Sequence, residues 1–176
     1  MAGLGFFINM LQFDLSPLIG ARPGERLVFS LSEGPHWLED VQVAFLRGPV
    51  TFVRVQGGIL VEARLETSIE VECVRCLDRF SHAAVLEVEE TIGLAGHSQP
   101  EIVYHLTEEG WFDPLPLFRE QVWVVLPMKA LCRLDCKGYC PECGSNLNVE
   151  ACSCRKEQVD PRLASLAAFY DRRQEE

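Results

Sequence analysis

The chain has 176 residues with 24% charged and 48% apolar side chains, values that are ordinary for one folded domain and exclude wholesale disorder. No stretch approaches the ~20 apolar residues of a membrane-spanning helix, and no basic residue precedes the apolar start, so we expect a cytoplasmic protein without membrane contact. The formal net charge of −10 falls entirely within residues 1–127, which disfavours non-specific binding to nucleic-acid phosphates.

Alternating apolar residues predict an antiparallel sheet in the first half of the chain. From Ile59 to Cys73 every second residue is apolar apart from a threonine, and the residues between them are mainly charged. This alternation is typical of a strand with one buried face. The Gly57-Gly58 pair before this strand is a hairpin-turn signal, so residues 50–56 are predicted to pair with it. Three further segments are predicted to belong to the same meander: strands at 41–45 and 80–92, and a turn at Arg47-Gly48-Pro49.

Two helices are predicted, and each begins at an Asp-Pro dipeptide. Asp113-Pro114 places a capping carboxylate before a proline at the first helical position, and apolar residues follow at helical spacing up to Pro127. Asp160-Pro161 repeats the signal before a short C-terminal helix. The predicted fold class is α+β: a mostly antiparallel, curved or barrel-like sheet with a few helices. The predicted units are an acidic β-rich body at 1–127 with one helix near 114–126, a Cys-rich segment at 128–156 packed on it, and a short C-terminal helix and tail at 157–176.

The eight cysteines occur as four short pairs: Cys73 and Cys76, Cys132 and Cys136, Cys140 and Cys143, Cys152 and Cys154. In a reducing cytosol such pairs serve as metal ligands or redox centres rather than disulfides. The first pair lies in a predicted hairpin tip, and Gly144 follows the third pair where a tight turn needs positive φ. Eight thiolates match two zinc ions, which are structural because an all-cysteine tetrahedral site leaves no position open for water. Proximity along the chain favours one ion held by the last four cysteines and another held by the first four. The predicted α+β fold therefore has a zinc-stapled C-terminal segment, with residues 128–156 as its zinc-binding unit.

Other uses of the cysteines stay open at this point. They can be small buried apolar side chains, and Cys73 does share the apolar parity of its strand. A thioredoxin-like centre is disfavoured because its thiols stand at a helix N-terminus, whereas Cys76 lies between predicted strands. The spacing Cys136-x3-Cys140-x2-Cys143 is that of radical-enzyme iron–sulfur clusters, which those enzymes place early in a large α/β barrel. An iron–sulfur cluster of another kind remains an alternative.

The rest of the sequence offers no catalytic constellation. It lacks a phosphate-binding glycine loop, a G-x-S-x-G motif and an H-E-x-x-H motif. Trp37, Trp111 and Trp123 are predicted to be core or interface residues. We therefore expect a non-enzymatic protein that binds other macromolecules and has no small-molecule substrate.

The charge distribution suggests two working surfaces. A protein partner would use the acidic body, where Glu62, Glu66 and Glu70 share one parity of the long strand and form either a negative stripe or a plain solvated face. Direct contact with RNA would instead use basic residues of the C-terminal part: Arg133, Lys137, Arg155, Lys156, Arg162, Arg172 and Arg173. We favour the protein partner, because an acidic body repels phosphate and attracts basic proteins.

The order of these motifs resembles the YceD family, the large ribosomal RNA subunit accumulation proteins of bacteria and plastids. The resemblance is carried by residues 71–80, by 132–148 with its three cysteine-flanked turns, by Cys152-Ser-Cys154 and by Asp160-Pro161-Arg162-Leu163. It implies a non-enzymatic factor in the processing or accumulation of 23S rRNA and in large-subunit biogenesis, with a ribosomal protein, an assembly factor or rRNA as partner. The alternative is a thiol-dependent redox or iron–sulfur protein.

Overall fold

The computed structural model describes residues 11–96 and 102–154. Its strands and helices in chain order are β1 (Phe13–Asp14), α1 (Ser16–Ile19), β2 (Arg26–Glu33), β3 (His36–Leu38), β4 (Val41–Val55), β5 (Gly58–Glu72), β6 (Arg79–Gly93), β7 (Trp111–Phe112) and α2 (Leu115–Val125). The main sheet is antiparallel in the order β2-β4-β5-β6, with β3 also paired to β4, and β1 pairs with β7 in a small second sheet. The α+β class is confirmed. The main sheet is open rather than closed into a barrel, because its described order ends at β2 and β6.

The core lies between one face of this sheet and α2. Along β5 the predicted alternation holds, since Ile59, Val61 and Leu65 are fully buried while Glu62 and Arg64 between them are exposed. The helix contributes Phe118, which is fully buried against the same cluster, and begins where the backbone N–H of Leu115 donates to the carboxylate of Asp113 at 2.9 Å. The helix predicted near 114–126 is therefore confirmed, whereas the predicted C-terminal helix lies outside the described residues.

The turn predicted at Arg47-Gly48-Pro49 is wrong, because these residues lie inside the 15-residue strand β4. Both flanks of β4 are paired there, with β2 on one side and β5 on the other, so strand pairing outweighs local turn chemistry. A register shift between Val43 and Leu46 changes the parity of the buried residues along β4. The hairpin turn that follows β4 falls at Gln56-Gly57, one residue earlier than predicted, because Val55 pairs with Gly58.

Gly48 has a structural role in β4 that no other residue can fill. Its φ is +150°, and a Cβ built there would lie 2.1 Å from the backbone oxygen of Arg64 on β5. Glycine therefore allows β4 and β5 to approach closely at residue 48, where the sequence indicates a turn.

None of the helices in the described part of the chain combines the length and apolar character needed to cross a bilayer.

Candidate metal centres

The eight cysteines come together in two groups of four. Cluster A consists of Cys73, Cys76, Cys132 and Cys136, and cluster B consists of Cys140, Cys143, Cys152 and Cys154. Within each cluster all four Sγ atoms lie within 4.8 Å of one another. The grouping is the same as the one that proximity along the chain favours. Each cluster could hold a metal ion.

The sulfur spacing in cluster A fits a single tetrahedral ion. The Sγ atoms of Cys73 and Cys136 are 3.8 Å apart, and those of Cys76 and Cys132 are 3.6 Å apart. A zinc ion about 2.3 Å from each of four thiolates would place the sulfurs roughly 3.8 Å apart. A disulfide would bring two sulfurs to about 2.05 Å, and all eight thiols are free. The donor set and its geometry therefore suit one ion per cluster.

The two clusters use the same backbone turn to present their first pair of thiols. The backbone N–H of Leu77 donates to the carbonyl of Cys73 at 2.9 Å, and that of Gly144 donates to the carbonyl of Cys140 at 2.8 Å. The residue after each second cysteine has positive φ, 61° at Leu77 and 72° at Gly144. Glycine adopts this conformation freely, whereas a leucine there costs about 1–2 kcal/mol. Cluster A therefore includes a strained position that its surroundings must hold in place.

Cluster A joins the sheet to the segment that follows α2. Cys73 and Cys76 belong to the loop between β5 and β6, and Cys136 is buried beside them. Hydrogen bonds along the contact hold the segment on this loop: the N–H of Val74 donates to Ala130 O at 2.9 Å, and the guanidinium of Arg75 donates to Cys136 O at 2.8 Å. The sheet therefore supplies two ligands and the C-terminal segment supplies the other two.

A glycine makes close contact at this junction. The N–H of Tyr139 donates to the carbonyl of Arg75 at 3.0 Å, and a Cβ on Gly138 would lie 2.9 Å from that same oxygen. The φ of Gly138 is +79°, which glycine adopts without strain. The short link between clusters A and B can follow the hairpin loop this closely only because residue 138 is glycine.

The chain after the turn of cluster B supports a ligand of cluster A. The side-chain amide of Asn148 donates to the sulfur of Cys136 at 3.4 Å, and its oxygen accepts from the N–H of Lys137 at 2.8 Å. The amide of Asn146 donates to Asp78 beside the hairpin loop at 2.7 Å. Hydrogen bonds of this kind orient metal ligands and tune their charge. The two clusters are thus connected by side-chain contacts as well as by the chain.

Hydrogen bonding favours the thiolate form of Cys73 and Cys136 in cluster A and of Cys143 in cluster B. The backbone N–H of Cys132, followed by those of Cys76 and Arg75, lowers the pKa of Cys73 to about 6. In cluster B, bonding with the side chain and backbone of Ser145 lowers the pKa of Cys143 to about 6. The pKa is instead raised by burial and neighbouring thiols at Cys76 and Cys132 in cluster A and at Cys152 and Cys154 in cluster B. Because the thiolate is the form that binds metal, an ion would have to displace protons from these four ligands.

Only two of the basic residues predicted for RNA contact lie in the described part of the chain. Arg133 and Lys137 are exposed on either side of Cys136, and Arg133 lies 3.7 Å from Asp135. The remaining basic residues predicted for RNA contact lie outside the described residues: Arg155, Lys156, Arg162, Arg172 and Arg173.

The glutamates of β5 form an exposed row on the outer face of the sheet. Glu62, Glu66 and Glu70 are all exposed, and Glu70 makes an ion pair with Arg79 at 3.2 Å. Glu62 instead lies directly opposite Glu89 on β6. Like charges facing each other across a strand pair are destabilising. The negative character of this face is therefore only partly compensated.

An open antiparallel sheet joined by a four-cysteine cluster to a second such cluster defines a protein whose C-terminal segment is built around candidate metal sites. The chain belongs to the YceD family, because the family model described as large ribosomal RNA subunit accumulation protein YceD matches residues 61–170. The Arabidopsis thaliana protein named large ribosomal RNA subunit accumulation protein YCED homolog 1, chloroplastic, is 33% identical over 203 aligned residues, covering 96% of this chain and 60% of that protein.

The names of two bacterial relatives do not state a function. An uncharacterized protein of Mycobacterium tuberculosis is 29% identical over 161 residues, covering 84% of this chain and 76% of that protein. The uncharacterized protein YlbN of Bacillus subtilis is 35% identical over 63 residues, covering 35% of this chain and 37% of its own. No solved structure matches the chain. The family and the name of the plant relative support a role related to the ribosome.

Proposed function

We propose that the protein is a non-enzymatic factor that supports 23S rRNA accumulation and large-subunit assembly by binding a basic protein of that subunit, with two structural zinc ions. The observation that carries the proposal is the exposed acidic sheet face on a chain of the YceD family, with Glu62 and Glu89 left facing each other. Such a face attracts basic ribosomal proteins and repels RNA phosphates. The clusters hold the C-terminal segment in place and take no part in a reaction.

Zinc is favoured as the metal by the shape of the clusters. Four thiolates within 4.8 Å of one another can share one ion, whereas a multi-iron cluster distributes its thiolates over separate iron atoms. Four cysteines also fill a tetrahedral ion completely, which is typical of structural rather than catalytic zinc. Cluster A then acts as a staple between the sheet and the segment that starts at Cys132.

We expect protein purified without added metal to contain two zinc ions per chain. Elemental analysis measures the metal, and thiol titration under native conditions should find the cysteines unreactive. A variant with Cys152→Ser and Cys154→Ser is the matched control, and it should retain one zinc at cluster A. Iron with visible charge-transfer absorption would contradict the zinc assignment. A metal-free protein with an exchangeable disulfide would support the redox alternative instead.

We expect binding to rRNA-free large-subunit ribosomal proteins to exceed binding to large-subunit RNA fragments at physiological salt. Replacing Glu62, Glu66 and Glu70 by glutamine should weaken the protein complex, because these carboxylates attract the basic partner. Replacing Arg155 and Lys156 by glutamine is the matched control and should leave that complex unchanged. The proposal would be wrong if sub-micromolar RNA binding survived the glutamate substitutions and was lost with the basic ones. Such RNA binding would also fall steeply as salt is raised.

A further inference from the structure

Two exposed tryptophans from distant parts of the chain line one groove of the molecule. Trp37 on β3 is 60% exposed and Trp123 on α2 is 53% exposed. The groove has a volume of about 780 Å³ and lies at the end of the sheet where β5 leads into the loop of cluster A. Large aromatic side chains left in solvent around a concavity are typical of protein interfaces, where tryptophan is a frequent source of binding energy.

The walls of the groove combine apolar and acidic side chains. Val41, Ile69 and Leu126 supply apolar surface, while Asp40, Glu70 and Glu72 supply three carboxylates against the single guanidinium of Arg79 among the lining residues. An occupant with apolar and positively charged groups would complement this lining. A nucleic-acid strand would stack its bases on tryptophan equally well, but its phosphates would meet the carboxylates.

The carboxylates of Glu70 and Glu72 at the rim are available to a partner. Asp40 accepts two hydrogen bonds from Arg119, at 2.6 and 2.9 Å, and Glu70 pairs with Arg79 at 3.2 Å. The Glu70–Arg79 pair is largely exposed to water, where an ion pair contributes little and exchanges easily, whereas the two-bonded Asp40–Arg119 pair is half-buried and stays intact. A guanidinium from a partner can therefore pair with the exposed carboxylates of Glu70 and Glu72 while its plane stacks on a tryptophan ring.

We propose that this groove is the docking site for an arginine-containing segment of the basic protein partner, with Trp37 and Trp123 as anchors and the carboxylates of Glu70 and Glu72 as the charge complement. The proposal rests on the proposed function and specifies where on the molecule the partner binds. Glu72 precedes Cys73 directly and pairs in register with Arg79, so cluster A holds one wall of the groove in place.

A fluorescence titration tests the groove with a defined probe, a labelled nona-arginine peptide added to the full-length, zinc-loaded protein. Trp37→Ala and Trp123→Ala should each raise the dissociation constant of the peptide tenfold or more, and Glu72→Gln should raise it severalfold. Trp111→Ala is the matched control, because Trp111 is 42% exposed on β7 and does not line the groove; its effect should stay within twofold. A nona-lysine peptide of equal charge should bind more weakly, because its ammonium groups cannot stack in a plane.

Several outcomes would overturn the proposal. Unchanged binding in Trp37→Ala and Trp123→Ala would mean that the peptide binds by charge alone. Equal weakening by Trp111→Ala would mean that the loss of binding is not specific to the groove. A nine-nucleotide RNA whose binding depends on Trp37 and Trp123 would make the groove a nucleic-acid site. Loss of a dimer in sedimentation on Trp37→Ala or Trp123→Ala would make the occupant a second copy of this chain.

The same variants separate this proposal from the proposed function. In a pulldown with rRNA-free large-subunit ribosomal proteins, wild-type binding that is unchanged in both tryptophan variants overturns the groove and leaves the function standing. A wild-type protein that retains no ribosomal protein overturns both. Selective loss of the retained protein in the two tryptophan variants, with Trp111→Ala unchanged, supports both.

Discussion

Cys143→Ser is expected to unfold residues 140–154 locally while the main sheet persists. Residues 140–154 contain few large apolar side chains, and among them Val149 is 83% exposed, so packing alone cannot hold the segment. Structural zinc contributes about 10–16 kcal/mol of apparent binding energy in small peptides, which exceeds what so short a segment gains by burial. The strands β4, β5 and β6 have their own buried face and do not depend on cluster B.

Hydrogen exchange on the zinc-loaded protein measures this effect residue by residue. Amide protection should be lost at Gly144, whose N–H donates to Cys140 O within the segment, and at Leu147, whose N–H donates to Gly138 O just before it. Protection should be retained at Leu65 and Ile69 in β5. Ser153→Ala is the matched control, because Ser153 is exposed between two ligands and offers no thiolate. Loss of protection throughout β5 in the Cys143 variant would show that the sheet depends on cluster B, against this expectation.

Gly48→Ala is expected to destabilise the whole sheet by about 3 kcal/mol or more. The new Cβ would lie 2.1 Å from the backbone oxygen of Arg64, which cannot move without breaking the pairing of β4 with β5. The φ of +150° adds backbone strain to the steric clash. Rotating a side chain relieves neither cost, because the clashing oxygen of Arg64 belongs to the backbone and the strain lies in the backbone of residue 48.

Urea denaturation at saturating zinc measures the loss, because a fixed ligand concentration keeps the metal contribution equal in both proteins. Gly34→Ala provides the matched control, since its Cβ would have no atom within 4 Å and its φ is not positive. Its free energy of unfolding should stay within about 1 kcal/mol of the wild-type value. A Gly48→Ala protein as stable as Gly34→Ala would mean that β4 and β5 can separate at this point without cost.

The elements that could be predicted from sequence are those whose signal is local. The strand β5 follows from apolar alternation, because the side chains of a strand point to opposite faces in turn. The helix α2 follows from Asp113-Pro114 and the apolar spacing after it. In β2 the residues Leu27, Phe29 and Leu31 also alternate, yet only Leu31 is buried, and this strand is not predicted from the sequence.

The segment 47–49 shows where local reasoning fails. Glycine followed by proline is ordinarily turn chemistry. Here strands on both sides pair with β4. The glycine that predicts a turn is required instead because the backbone of Arg64 lies so close to Gly48. Whether a glycine marks a turn or a tight strand contact depends on a partner strand that the local sequence does not specify.

By itself, the sequence determined the chemistry of the clusters and the framework of the sheet, because thiolate pairs and apolar alternation act between residues close in the chain. The tertiary structure decided how β4 is built, that Asn148 reaches Cys136 from beyond the turn of cluster B, and that Trp37 and Trp123 line one groove. The sequence predicts that the three tryptophans are core or interface residues, and their exposure excludes a position in the core. These features depend on distances between residues far apart in sequence, and only the packing of the sheet, α2 and the cysteine clusters sets those distances.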